Sequence, residues 1–366
     1  MRMDNKKNKS GAGPGKKASA VNGAKASNKF NKQAAIKNSG KNNAQVNKKI
    51  NKKAGKTENT DASDKNTEKS SINWYPGHMT KAVRMMKENI SLVDIIVEIT
   101  DARIPSSSRN PDIDELGKDK FRLVILNKAD LADKSITDKW IEYYKSKGIY
   151  AIELDSRNFK GMKDVKNLMT LACKEKIDRD RARGIIGRPI RAMVAGIPNV
   201  GKSTFINHLT GKNAAKTGNK PGVTKGKQWI MLGQEIQLLD TPGILWPKFE
   251  DQRVGNHLAM TGSINDNILD IGELCIGLLK DLEKNYAANI YKTYNINDED
   301  IDRAIEEDHL MAREAGIIAA VAARRNLLLP GSKYDYARAS DLIIDDFRSG
   351  RLGRISLEEP MHDDGL

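Results

Sequence analysis

Cysteine is scarce in this 366-residue chain: Cys173 and Cys275 are its only two. Two thiols exclude both a disulfide framework and a four-cysteine zinc site, and leave buried reduced thiols as the expectation. Long apolar runs are also lacking. No stretch approaches 18 consecutive apolar residues, so no membrane partner or span is expected. The N-terminus lacks the apolar core of a secretory signal, and a cytoplasmic location is the expectation. With 39% hydrophobic and 30% charged residues, the composition fits a soluble chain carrying one disordered segment.

The charge, +14 overall, is unevenly spread. Residues 1–70 hold 18 Lys/Arg against 5 Asp/Glu, residues 71–255 hold 32 against 22, and residues 256–366 hold 12 against 21. The first segment has one aromatic residue, Phe30, and no hydrophobic period. It cannot bury enough apolar area to offset backbone ordering at about 1–2 kcal/mol per residue, so 1–70 reads as a disordered basic tail. Such a tail suits a polyanion, because each Lys that neutralises a phosphate releases a counterion; a merely solubilising tail is the alternative.

From residue 71 short β-rich runs appear: VDIIVEITDAR, FRLVILNKAD, IYAIELDS, IRAMVAGIPN, QWIMLG and EIQLLDTPG. Helical patterns such as KSITDKWIEYYKSKG and MKDVKNLMTLACKEK lie between many of them. The alternation predicts an α/β domain over 71–255 with a mostly parallel sheet, whose ligands bind at the carboxyl ends of strands. Residues 256–366 contain only Pro330 and Pro360 and show helix patterns over Glu273–Leu282, Asp298–Arg313 and Arg338–Phe347. They predict an all-α C-terminal domain.

Gly196-Ile197-Pro198-Asn199-Val200-Gly201-Lys202-Ser203 fits GxxxxGK[ST] and sits between the apolar strand RAMVA and the helical run TFINHLTG. That context makes it a phosphate loop. The backbone of Asn199, Val200, Gly201 and Thr204 is expected to wrap phosphates, Lys202 to reach the β/γ-phosphates and Ser203 to ligate magnesium. Asp240 in LLDTPG is expected to join the magnesium shell, with the Gly243 N–H meeting the γ-phosphate. Thr224, in the loop KPGVT, is the expected third magnesium contact.

Asn127-Lys128-Ala129-Asp130 follows the strand RLVIL. A carboxylate there accepts two N–H bonds from the edge of guanine, for which adenine has no matching donor pair. Asn127 is expected to serve the base and brace the phosphate loop, and the Lys128 stem to cover the base plane. Ser156, after IYAIEL, stands where a backbone contact to the guanine oxygen is usual. The base motif precedes the phosphate loop, an order that a cyclic permutation of one sheet reconciles.

These stretches carry a resemblance. NWYPGHMTKA, DARIPSSSRNP, NKADLAD, GIPNVGKSTFINHL, AKTGNKPGVTKGKQW, LLDTPGILWPKFED and DLIIDDFRSGRLGRISLE together cover most of the chain from Asn73 to Glu359. The chain resembles the circularly permuted GTPases of the ribosome biogenesis GTPase A (YlqF/RbgA) family. The resemblance implies a bacterial factor acting late in assembly of the large ribosomal subunit. It also implies GTP and GDP as ligands, turnover stimulated by the precursor particle, and a C-terminal helical domain contacting ribosomal RNA. A monomer is expected. The basic tail and the guanine-contact loop DSRNFKG depart from the family pattern.

Ile244 follows DTPG where Ras-like enzymes carry a water-orienting Gln. An aliphatic side chain makes no hydrogen bond to water, so slow intrinsic hydrolysis is expected. His78 in PGHM is read from the residues either as a turn histidine or as the water-orienting group; the resemblance points to the second, with Lys202 and Gly243 completing the catalytic set. Asn199 matches a position that in related GTPases helps coordinate potassium. Asp101-Ala102-Arg103 is read as an internal ion pair at a strand end. Lys333, Arg338, Arg348, Arg351 and Arg354 are candidates for one basic patch within the acidic C-terminal segment. A second cluster, Lys174 to Arg191, is also placed to track phosphate. An RNA-binding scaffold, with GTP as a structural ligand and little turnover, is the competing function.

Overall fold

The structure, a computed structural model, describes residues 77–158, 161–211, 228–246, 249, 251–266 and 269–360. The basic tail 1–70 and the KPGVT loop with Thr224 lie outside the described residues.

Six strands form one sheet: β1 (Ile95–Asp101), β2 (Phe121–Asn127), β3 (Tyr150–Leu154), β4 (Ile190–Gly196), β5 (Gln228–Leu232) and β6 (Ile236–Asp240). Their spatial order is β3-β2-β1-β4-β6-β5, with every pairing parallel except the edge pair β5–β6. The alternation of side chains sorts the two faces. Ile95, Val97 and Ile99 of β1 and Leu123 and Ile125 of β2 share a cluster with Met162, Val165 and Met169 of helix α4 (Met162–Ala172) and Phe205 of helix α6 (Lys202–Thr210). Ile96 turns the other way, into a cluster with Ala82 and Met86 of helix α1 (Gly77–Asn89). Val124 and Leu126 pack with Ile136, Trp140 and Tyr144 of helix α3 (Lys134–Ser146). Strands covered on both faces need apolar residues throughout, which is what β1 and β2 supply. The buried exceptions are Glu98, Thr100 and Asp101 of β1 and Asn127 of β2; Glu98 is matched by Arg122 at 2.8 Å and Arg109 at 3.3 Å.

Two more helices complete this part, α2 (Pro111–Leu116) and α5 (Lys174–Ala182). Beyond the sheet lie α7 (Gln252–Met260), α8 (Ile271–Asn285), α9 (Ala287–Tyr294), α10 (Asp298–Asp308), α11 (Arg313–Arg324) and α12 (Tyr336–Ser349), with a short hairpin of β7 (Leu328–Leu329) and β8 (Lys333–Tyr334). The expected single helix over Asp298–Arg313 is corrected: α10 stops at Asp308 because His309 adopts a left-handed conformation, φ 50°, and the chain restarts as α11. Residues 315–322 of α11 are all buried, making it the central helix of this segment. After α12 the chain doubles back. Leu352, Ile355 and Leu357 are buried, and the Leu357 and Ile355 N–H groups donate to Arg103 O at 2.8 Å and Leu131 O at 2.9 Å. Residues 350–359 thus form a strap across the base-motif end of the sheet.

Candidate nucleotide site

The carboxyl ends of β1, β2 and β4 lie side by side, with Ile99 opposite Gly196 and Asp101 opposite Asn127. At the end of β4 the chain turns through Gly196 at φ 149°, where a Cβ would stand 2.4 Å from the Ile99 carbonyl oxygen, so only glycine fits. Gly201, at φ 103°, ends the loop, and α6 begins at Lys202. Ser203 and Thr204 therefore occupy the first turn of a helix whose N–H groups point back at the loop, an arrangement that favours anions. Lys202 is buried and donates from Nζ to Gly196 O at 3.0 Å and Ile197 O at 2.8 Å. Burial lowers its pKa to about 8 against the opposing pull of Asp240. Asp240 is itself buried at the end of β6, and Thr241 donates to Val194 O at 2.7 Å. Gly243 passes so close to the loop that a Cβ would meet Pro198 at 2.8 Å and Lys202 Nζ at 2.9 Å.

Asn127 joins the base-reading and phosphate loops directly. Its Nδ2 donates to Val200 O at 2.6 Å, and its Oδ1 accepts from Ser156 N at 3.0 Å. One buried amide therefore ties together the base motif, the phosphate loop and the loop after β3. Strands two places apart in a sheet are about 10 Å apart, so the permuted order in sequence places the two motifs at one ligand's span. Asp130 pairs with Arg157, and its Oδ1 is buried with no hydrogen-bond partner among the described residues. Ser156 is buried too, and its hydroxyl likewise has none among the described residues. An orphan acceptor and an orphan hydroxyl on adjoining loops suit the polar edge of a bound base.

Sequence reasoning missed the role of Asp101. Its carboxylate is fully buried and meets Arg103 at 2.9 and 2.8 Å and Lys128 Nζ at 2.9 Å. Burial alone would push this carboxyl up, but the Arg103 and Lys128 charges outweigh it and hold it well below the usual carboxylate range. The expected Asp101–Arg103 pair is present, and it extends to the base motif. Arg103 in turn lies 5.1 Å from the Phe347 ring of α12.

The strap adds support from the far end of the chain. Arg354 donates to Ala129 O at 3.0 Å and Asp130 O at 3.3 Å, and Ser356 Oγ accepts from Asp133 N at 3.1 Å. Glu358 accepts from Ser106 N at 2.7 Å and from the Ser107 hydroxyl, and lies 2.8 Å from His257 Nδ1. Three arginines of the expected basic patch in the C-terminal segment have partners within the chain. Arg348 is bound to Asp266 at 2.7 Å, Arg351 to Asp346 and Arg354 to the base loop. Arg351 and Arg354 nevertheless stay exposed.

Ile244 is buried in the cluster with Ala82 and Met86, so the residue after DTPG faces apolar neighbours. His78 is the second residue of α1, one turn ahead of Ala82. Asn199, at φ 58°, donates from its amide to Gly262 O at 2.9 Å and so links the phosphate loop to the turn after α7.

Comparison with known proteins agrees with this geometry. A family profile described as "50S ribosome-binding GTPase" matches residues 191–312, starting in β4 and leaving the base motif at 127–130 upstream. The chain is 47% identical over 289 residues to the Ribosome biogenesis GTPase A of Bacillus cereus, covering 79% of this chain and 94% of that one. It is 45% identical over 291 residues to the protein of the same name from Priestia megaterium, covering 79% and 97%. Among solved structures, GNP-bound YlqF from T. maritima superposes with a TM-score of 0.51 at 26% identity, covering 76% of this chain and 98% of that one. Likeness along nearly the whole length of these relatives, in a sheet whose motifs run in permuted order, establishes that the chain belongs to the ribosome biogenesis GTPase A (YlqF/RbgA) family.

Proposed function

We propose that the chain binds and hydrolyses GTP as an assembly factor of the large ribosomal subunit, joining the precursor particle with GTP bound and leaving after hydrolysis. The observation that carries the nucleotide assignment is the Asn127–Val200 hydrogen bond of 2.6 Å, which makes the base and phosphate motifs one site. The ribosomal part rests on what the relatives are named for. In this reading the protein works as a cytoplasmic monomer. Among the described residues no helix is long and apolar enough to cross a membrane.

Residues 71–255 are proposed as the GTPase domain and 256–366 as a helical domain contacting ribosomal RNA, with Lys333 and Arg338 exposed on it. Asp130 and the Ser156 loop would read guanine, and Lys202, Ser203, Thr204 and Gly243 would hold the phosphates. The hard oxygen donors of Ser203 and Asp240, with Thr224, suit magnesium, which supplies neutralisation of phosphate charge. Asn199 is proposed to contribute its amide oxygen to a potassium ion, its amide nitrogen being engaged with Gly262.

His78 is proposed to orient the attacking water, supported by its place at the start of the helix that packs with Ile244. A His78→Ala variant should keep nucleotide affinity and lose particle-stimulated turnover; unchanged turnover would remove it from the reaction. Asp130→Asn should shift preference from GTP towards xanthosine triphosphate. Burial of Ile244 favours slow intrinsic hydrolysis and so keeps the scaffold reading alive. GTP turnover measured with and without precursor particles separates the two, since a scaffold would show no stimulation.

A further inference from the structure

The segment between the two halves of the sheet carries a surface that the nucleotide site does not use. Residues 171–191 contain Lys174, Lys176, Arg179, Arg181, Arg183, Arg188 and Arg191 against Glu175, Asp178 and Asp180. Lys176 is the anchor: buried, it reaches Asp94 at 3.4 Å and Asp180 at 3.2 Å, pinning α5 to the amino end of β1. Asp94 also accepts from Arg191 N at 2.8 Å, which fixes where the segment enters β4.

Most of the other cations are exposed, with Arg188 at 3.9 Å from the anchor's Asp180. Residues 181–188 are all exposed. Arg181 and Arg188 have carboxylates no nearer than 3.9 Å, and Lys174 and Arg183 form no ion pair among the described residues. Between Arg183 and Arg188 the chain reads Gly184-Ile185-Ile186-Gly187. Both glycines are left-handed, φ 73° and 75°, and a Cβ on either would meet nothing within 4 Å. This open turn presents Ile186 at 90% exposure and Ile185 at 41%. An exposed apolar pair bracketed by arginines needs a partner that is anionic but offers apolar surface. Structured RNA has both: phosphates that guanidinium groups grip bidentately, and a wide shallow minor groove with sugar and base edges. The C-terminal Arg348, Arg351 and Arg354 differ from these in that each already has a partner within the chain.

We propose that Lys174, Arg181, Arg183 and Arg188 form a phosphate-binding surface for structured RNA, with Ile186 packing into its shallow groove. The surface lies at the amino ends of the strands, opposite the nucleotide. The seven residues of β1 separate the poles by about 20 Å. This deepens the proposed function by naming a second face that holds the particle, and rests on that reading only for the identity of the particle.

The test uses the full chain, with its basic tail present in every variant, titrated against a labelled RNA duplex of about 20 base pairs and against large-subunit particles. Arg183→Glu with Arg188→Glu should weaken duplex binding at least about tenfold and reduce the slope of log affinity against log salt by about 2. Ile186→Ala should weaken binding about threefold or more with the slope unchanged. The neutral pair Arg183→Gln with Arg188→Gln should act in the same direction and stands in if the reversal unfolds the chain. Duplex affinity within about twofold of the parent in both double variants would overturn the proposal. So would unchanged duplex binding with lost particle binding, which would assign the face to a ribosomal protein. Intrinsic GTP turnover should be unaltered in all of them. A parent without turnover would sink the GTPase reading and leave the RNA result standing.

Discussion

The base-reading loop, residues 127–131, has its lysine fixed by a remote buried carboxylate, whereas the phosphate loop, 196–203, takes remote ties at Val200 and Asn199 but keeps its lysine on its own carbonyls. Asp101 grips Lys128, Ser156 N and Val200 O engage Asn127, and Arg354 and Ile355 fasten the backbone at Ala129 and Leu131. In the phosphate loop Lys202 donates to two carbonyls of the loop itself. An ammonium on neutral carbonyls is easily re-partnered by phosphate oxygens, while a buried ion network is not. The base end is therefore set before ligand arrives, and the phosphate end keeps its strongest donor in reserve.

That contrast can be broken most severely at Asp101. Asp101→Ala would leave Arg103 buried without its carboxylate, and the folded state should lose about 3–5 kcal/mol, read by denaturant unfolding. The same group predicts an acid response. Its folded pKa is depressed, so its contribution is complete above the unfolded value near about 3.9 and is lost as pH falls below that. A parent chain and an Asp101→Asn variant with parallel stability curves from pH 6 down to 3 would contradict this.

Next in size is Asn127→Ala, which strands the buried Val200 O and Ser156 N. At about 1–3 kcal/mol for each unpaired group the folded state should lose stability, read by denaturant unfolding, and with the two loops no longer tied together guanine nucleotide affinity should fall about tenfold or more, measured by fluorescent-GDP titration. A loss under about fivefold would mean that the loops are positioned by packing alone.

A smaller effect tests the strap. His257, buried, sits between Glu358 at 2.8 Å and Asp281 at 3.4 Å, with Ser107 beside it. Burial opposes its charge, but the two carboxylates prevail and raise its pKa. A raised folded value means stability that is full below about pH 6.5 and fades as pH rises through the folded pKa. The melting temperature should decline from pH 6 to 9, and Glu358→Gln should flatten the decline. Arg157→Ala is the mildest change. Its pair with Asp130 is solvent-exposed, so nucleotide affinity should move less than about threefold, and upwards, as a competitor for the base-reading carboxylate is removed.

The sequence made most of the sheet and the nucleotide motifs legible, because glycine, lysine and asparagine at those spacings have few other uses. Asn127 as a brace between loops could be read for the same reason. The reach of Asp101 to Lys128 could not, since their pairing depends on strand register and not on local pattern. The strap was hidden more deeply. Arg354 and Ile355 bind backbone carbonyls at 129–131, which have no residue identity for a motif to record. The tie that Arg354 makes to this loop was hidden for the same reason. The helix stop at His309 was missed because nothing in its neighbours marks a left-handed turn.

The strap also has a temporal meaning. Translation delivers residues 127–131 more than two hundred positions ahead of 354–356, so a nascent chain carries its guanine pocket half-braced for most of its synthesis. The last ties of this loop form only when the segment through Glu358 has cleared the exit tunnel.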